Sequence, residues 1–191
     1  TMAGPAIADV IFGDYNPSGK LPVTFPRSTG QIPIFYNCKN TGRPFDASNK
    51  YTSKYLDIDN SPLFPFGYGL SYTTFEYSNL RLNKNSLNMN DTLVITVSLK
   101  NTGKYGGTEI AQLYIHDKVG SVTRPVKELK GFYKVDLSPG EITEVRFKIT
   151  KNDLAFCDIN MNFTAEPGEF EVFVGSNSVD CLKTNFWLQC N

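Results

Sequence analysis

Residues 91–100 read DTLVITVSLK. Leu93, Ile95, Val97 and Leu99 fall on one side of an extended chain, Thr92, Thr96, Ser98 and Lys100 on the other. That period of two predicts a strand with one face on a core and one in water. EITEVRFKIT (141–150) repeats it, with Val145, Phe147 and Ile149 against Glu144, Arg146 and Lys148. GEFEVFVGS (168–176) repeats it again with Phe170, Val172 and Val174. Weaker strand candidates cover 74–82, 108–116, 128–137 and 184–189, separated by the turn signals NTGKYGG, LSPGE and AEPGE. About seven strands at such spacing predict an immunoglobulin-like or fibronectin type III-like β-sandwich over 74–191, with a barrel as the structural rival. Trp187, the only tryptophan, is expected to plug its core.

Composition narrows the function classes. The 191 residues carry equal acidic and basic counts and no formal net charge. No long-range field therefore draws the chain to nucleic acid or anionic lipid. No apolar run approaches the roughly 18 residues a membrane span needs. The opening TMAGPAIADV has no basic segment before an apolar core, so no signal peptide is read there. The four cysteines, Cys38, Cys157, Cys181 and Cys190, form no C-x-x-C pair, and one histidine makes a zinc site a poor expectation. Cys181 and Cys190 flank the last expected strand and could close a short loop; separate thiols are the alternative.

Residues 1–73 follow a different grammar. Ala6–Phe12 predicts a short helix with Ile7, Val10 and Ile11 as its apolar stripe, ended by Gly13 in the left-handed conformation. NPSG (16–19) is a turn, and Leu21, Val23 and Phe25 alternate as a short strand. Residues 27–62 carry little periodicity, and a loop that long is usually functional or disordered. A helix, a strand and a long loop cannot bury a core of their own. FPFGYGLSYTTF (64–75) is too aromatic for a free linker and predicts a packed joint.

The stretches GPAIADVIFGDYNPSGKLPVTFP, IPIFYNCKNTGRPF and PLFPFGYGLSYTTFEYSNL resemble, in order, the closing segments of the second domain of glycoside hydrolase family 3. GGTEIAQLYIHD, SVTRPVKELKGFYKVDLSPGE and GEFEVFVGSNS look like the fibronectin type III-like domain that ends many members. The resemblance spans nearly the whole chain and lies in the β-glucosidase and β-xylosidase branch. It implies a retaining exo-acting enzyme that removes a terminal β-linked sugar, with two carboxyl groups about 5–5.5 Å apart. It further implies secretion or a periplasmic location, partnership with the upstream domains, and β-linked glucoside or xyloside oligosaccharides as substrates. Both family catalytic motifs lie upstream of residue 1, so no catalytic residue is carried over, and no metal or cofactor is expected.

Local carboxylates offer little in their place. Asp14 suits a turn after a helix end, and Asp57 and Asp59 read as solvated loop charge rather than a pair dividing acid and base roles. The loop 35–57 is richer, holding Phe35, Tyr36, Asn37, Lys39, Asn40, Arg43, Phe45, Tyr51 and Tyr55. Aromatic faces stack on sugar C–H faces while amides and cations bond hydroxyls, so Tyr36, Lys39 and Arg43 are the expected substrate-rim residues. The competing reading gives these aromatics to the domain seam. NDT (90–92) and NFT (162–164) match a glycosylation pattern that arises readily by chance, and His116 reads as a polar strand end. The chain is thus expected to brace a β-glycosidase, with residues 1–73 from its α/β domain, and to be inactive alone. The alternative is a non-catalytic carbohydrate- or protein-binding sandwich, which would present an aromatic row on one sheet face.

Overall fold

The architecture comes from a computed structural model that describes residues 2–189. Alternating sequence becomes two facing sheets. β1 (Phe75–Leu82) is followed by the short β2 (Ser86–Asn88), β3 (Leu93–Asn101), β4 (Gly107–Asp117), β5 (Glu128–Leu137) and β6 (Ile142–Ile149). After a single helical turn come β7 (Phe156–Cys157), β8 (Phe163–Thr164), β9 (Gly168–Gly175) and β10 (Cys181–Gln189). One sheet has the order β1-β3-β6; the other runs β2-β10-β9-β4-β5, and β7-β8 make a small hairpin. Every pairing is antiparallel except β10 with β2. This is the expected sandwich, and the barrel is excluded.

The core lies between the sheets, where the apolar phase of each strand points. Leu93, Ile95, Val97 and Leu99 are fully buried, as are Val172 and Val174 from the opposite sheet. Phe170 and Phe186 stack at 5.4 Å across β9 and β10. Trp187 corrects the sequence expectation: it is 54% exposed, and its neighbour Phe186 is 1% exposed. Side chains alternate along a strand, so only one of the two can point inward. The inward phase is fixed by Phe186 and Leu188, which pair with Phe170 and Gly168.

Asn101 ties the turn after β3 to both halves of the chain. Its amide donates to the carbonyls of Tyr105 (2.7 Å) and Leu137 (3.0 Å). Its oxygen accepts from Thr73 Oγ1 at 2.6 Å and from the Gly103 N–H at 3.0 Å. A completely buried amide with all four bonds made is a stabilising hub; losing any partner would expose the cost of burying it.

Ahead of the sandwich, α1 spans Ala3–Phe12 and ends where Gly13 takes φ 87° and donates to Val10. Of the expected stripe, Ile7 and Ile11 are exposed and Val10 is half-buried; no α1 residue is fully buried, and Phe12 is exposed as well. The expected short strand at 21–25 is reduced to one isolated bridge between Phe25 and Phe64, flanked by backbone bonds from Leu21 to Tyr68 and from Gly67 to Leu21. Its neighbouring chain is irregular, so a continuous ladder cannot form. Among the described residues, no helix is long and apolar enough to cross a membrane.

Candidate functional site: the seam and its loop

Asn16, Lys20, Tyr36, Cys38 and Phe66 to Thr73 tie the segment before β1 to the sandwich. At the edge of β4, Lys20 Nζ donates to both Glu109 oxygens at 2.9 and 3.2 Å, and the Tyr77 hydroxyl donates to Oε1 at 3.0 Å. The pair is buried, with side-chain exposures of 15% and 5%. Burial, then the nearby Glu109 charge, pushes the Tyr77 phenol far above its ordinary value, so it stays a donor. Asn16 clamps the next turn, donating to the Gly106 carbonyl at 2.9 Å and accepting from Ser71 Oγ and the Tyr72 N–H. The Tyr72 hydroxyl donates to the Val10 carbonyl and thereby holds the end of α1.

A second contact lies on the outer face of the five-stranded sheet. Gln112 Nε2 donates to the carbonyls of Gly67 (3.1 Å) and Ser176 (2.6 Å), while its oxygen accepts from the Tyr114 hydroxyl at 2.5 Å. Gly67 has φ 78°, and a Cβ there would sit 2.0 Å from Gln112 Oε1, so the position tolerates glycine alone. Phe66 stacks on Tyr36 at 4.2 Å, and both present edges to Tyr114. Phe64 stacks on Tyr68 at 4.9 Å. The connector is the packed joint its aromatic content predicts.

These contacts place the expected rim residues. Tyr36 is half-buried in the seam stack, and its hydroxyl accepts from the Leu129 N–H at 3.4 Å. Two residues on, the Val126 N–H donates to the Cys38 carbonyl at 2.9 Å, and Lys39 forms a bridge with Pro125. Lys39 and Arg43 are exposed, as are Phe45, Tyr51 and Tyr55. The structure therefore anchors Tyr36 to the sandwich and leaves Lys39 and Arg43 in the exposed part of the same loop. Lys20, Glu109 and Gln112 escaped sequence reading. For Glu109 and Gln112 the signal is a polar side chain inside the apolar run EIAQLYI; Lys20 carries none.

The loop carboxylates are committed locally. Asp59 accepts from the Ser61 N–H at 2.8 Å, and that bond holds its carboxyl below the ordinary range. Asp57 is exposed. His116, half-buried near the end of β4, lies 3.1 Å from Glu171. On the outer face of β9 and β10, Trp187 stands opposite Glu169, and the Phe173 ring is covered by the amines of Lys127 and Lys183. No aromatic row of the kind a sugar-binding module needs is formed there among the described residues. Cys38, Cys157 and Cys181 are free thiols; the possible Cys181–Cys190 closure involves a residue outside those described.

Fold and seam together define a fibronectin type III-like sandwich against which a segment of one helix and irregular chain is docked. Residues 109–178 match the fibronectin type III-like domain, and residues 1–72 the Glycosyl hydrolase family 3 C-terminal domain. The chain is 50% identical over 190 residues to a periplasmic beta-glucosidase of Salmonella typhimurium, covering 98% of this chain and 25% of that protein. It is 45% identical over 184 residues to a beta-xylosidase of Formosa agariphila, with 95% and 25% covered. The crystal structure of a beta-glucosidase from Listeria innocua in complex with glucose superposes with a TM-score of 0.91 at 43% identity, over 97% of this chain and 26% of that one. The chain belongs to glycoside hydrolase family 3, as its C-terminal region. It spans about a quarter of the length of the curated relatives it matches.

Proposed function

We propose that this chain braces a retaining exo-acting β-glycosidase of the β-glucosidase or β-xylosidase type and supplies part of its outer substrate rim. Residues 1–73 complete an α/β domain, and residues 74–191 form the sandwich that holds it. The observation that carries this reading is the seam: Tyr36 and the Cys38 carbonyl are fixed to the sandwich, while Lys39 and Arg43 stay exposed a few residues away. A loop pinned at its base and polar at its tip can bond sugar hydroxyls with little ordering cost. The uncovered apolar side of α1 is the face on which preceding layers of the longer protein would pack, and those layers would carry the catalytic carboxyl pair. β-Linked glucosides or xylosides are the substrates, and the name of the Salmonella relative supports a periplasmic or secreted location.

The test uses the longer enzyme and the 191-residue chain side by side. The longer enzyme hydrolyses aryl β-glucosides or β-xylosides and the isolated chain does not. Replacing Arg43→Ala in the longer enzyme raises KM for disaccharides severalfold more than KM for aryl glycosides. Equal effects on the two substrate types would remove Arg43 from the rim.

A further inference from the structure

The connection 118–127 carries a buried charge cluster with no part in the sandwich core. Asp117 closes β4, Glu128 opens β5, and Arg124 turns inward between them. The Arg124 guanidinium lies over the Phe156 ring at 4.1 Å. Its Nη2 donates to Glu128 Oε2 at 2.8 Å, and its Nε lies 3.7 Å from Asp117 Oδ2. The arginine and aspartate side chains are only 12% and 5% exposed. Arg124 Nε and Asp117 Oδ2 face each other with no hydrogen-bond partner.

A buried ion pair short of bonding distance is a weak source of stability, because desolvation of both charges offsets the attraction. What the cluster does fix is position. The two residues after Arg124 make the contacts with the other segment: Pro125 bridges Lys39, and the Val126 N–H donates to the Cys38 carbonyl. The loop is drawn tightly over the side chain, since a Cβ on Gly120 would lie 3.0 Å from Arg124 Cγ. The planar fork reaches Glu128, faces Asp117 and stacks on Phe156 at once, which an ammonium cannot do.

We infer that Arg124 is a positioning residue: held by Phe156, Glu128 and Asp117, it sets the placement of Lys39 at the substrate rim from the sandwich side. This rests on the rim reading above. The experiment compares Arg124→Lys with Lys39→Ala in the longer enzyme, and follows amide exchange of the 191-residue chain. For Arg124→Lys, the Val126 amide is expected to exchange about tenfold faster while β3 amides are unchanged. KM for disaccharides should rise severalfold at constant kcat, and the double variant should be no worse than Lys39→Ala alone. Asp117→Asn, which removes one charge and keeps the shape, should shift Val126 exchange the same way by less. It serves as the readout should Arg124→Lys fail to fold.

Altered melting with unchanged Val126 exchange in both variants would overturn the positioning role. A KM effect from Lys39→Ala with none from Arg124→Lys would overturn it too, and leave the rim reading standing. Faster exchange with no KM effect from either variant would instead remove Lys39 from the rim, and the inference with it.

Discussion

Cys181 shows how burial sets the behaviour of a single group. Its thiol donates to the Asn177 carbonyl at 2.9 Å, and desolvation pushes its pKa from 9.0 to about 11. The folded state thus keeps this proton above the pH at which the unfolded chain releases it. Stability from this group is complete below pH 9.0 and is lost as pH rises towards 11. Denaturant titrations across that window should show a downward slope that is shallower in Cys181→Ala. Thiol alkylation at pH 8, read by peptide mass mapping, should modify the exposed Cys38 and Cys157 at least about tenfold faster than Cys181. Sequence offers no hint of this contrast, because burial alone separates Cys181 from Cys38 and Cys157.

At the scale of elements, alternation fixed which strands exist and which residues face the core, but only where the pattern was long. β3, β6 and β9 were legible because each repeats its apolar phase three or four times, so one wrong residue could not shift it. In β10 the expectation of a buried Trp187 fails, because Phe186 and Leu188 take the inward phase. The Phe186-Trp187-Leu188 run is apolar on both sides, and tryptophan's size suggested burial where register decided otherwise. Phe186→Ala should therefore cost about 3–5 kcal/mol of stability, whereas Trp187→Ala should cost no more than about 1 kcal/mol, measured by equilibrium urea unfolding. The reverse order would show that β10 pairs one residue out of register. β2, β7 and β8 escaped notice because two or three residues carry no detectable period. The strand expected at 21–25 illustrates the opposite failure: its alternation is real, yet only Phe25 finds a bridge partner.

For the molecule as a whole, the seam decides whether the first 72 residues have a place. Sequence foretold an aromatic joint from 64–72, and the Tyr36–Phe66–Tyr114 stack is that joint. It could not foretell the polar locks, since Lys20 and Glu109 meet only through tertiary folding. Removing one partner of that buried pair, Lys20→Met, leaves a desolvated carboxylate and should cost about 3–5 kcal/mol. Adding Glu109→Gln removes the stranded charge, so the double variant should be more stable than Lys20→Met alone. Limited proteolysis within 27–62 reads the same order, with fastest cleavage in the single variant. A double variant weaker than the single would show that Glu109 owes its place to Tyr77 and not to Lys20.

The Lys20–Glu109 lock also governs timing. The two residues lie 89 positions apart in the chain. During synthesis, at about 5–20 residues per second, the lysine waits several seconds in the tunnel or beyond it before its acceptor is made. Until β4 emerges, the early segment has nothing to hold, so a ribosome stalled before residue 109 would display residues 14–72 open to protease, and one stalled past β5 would display them closed.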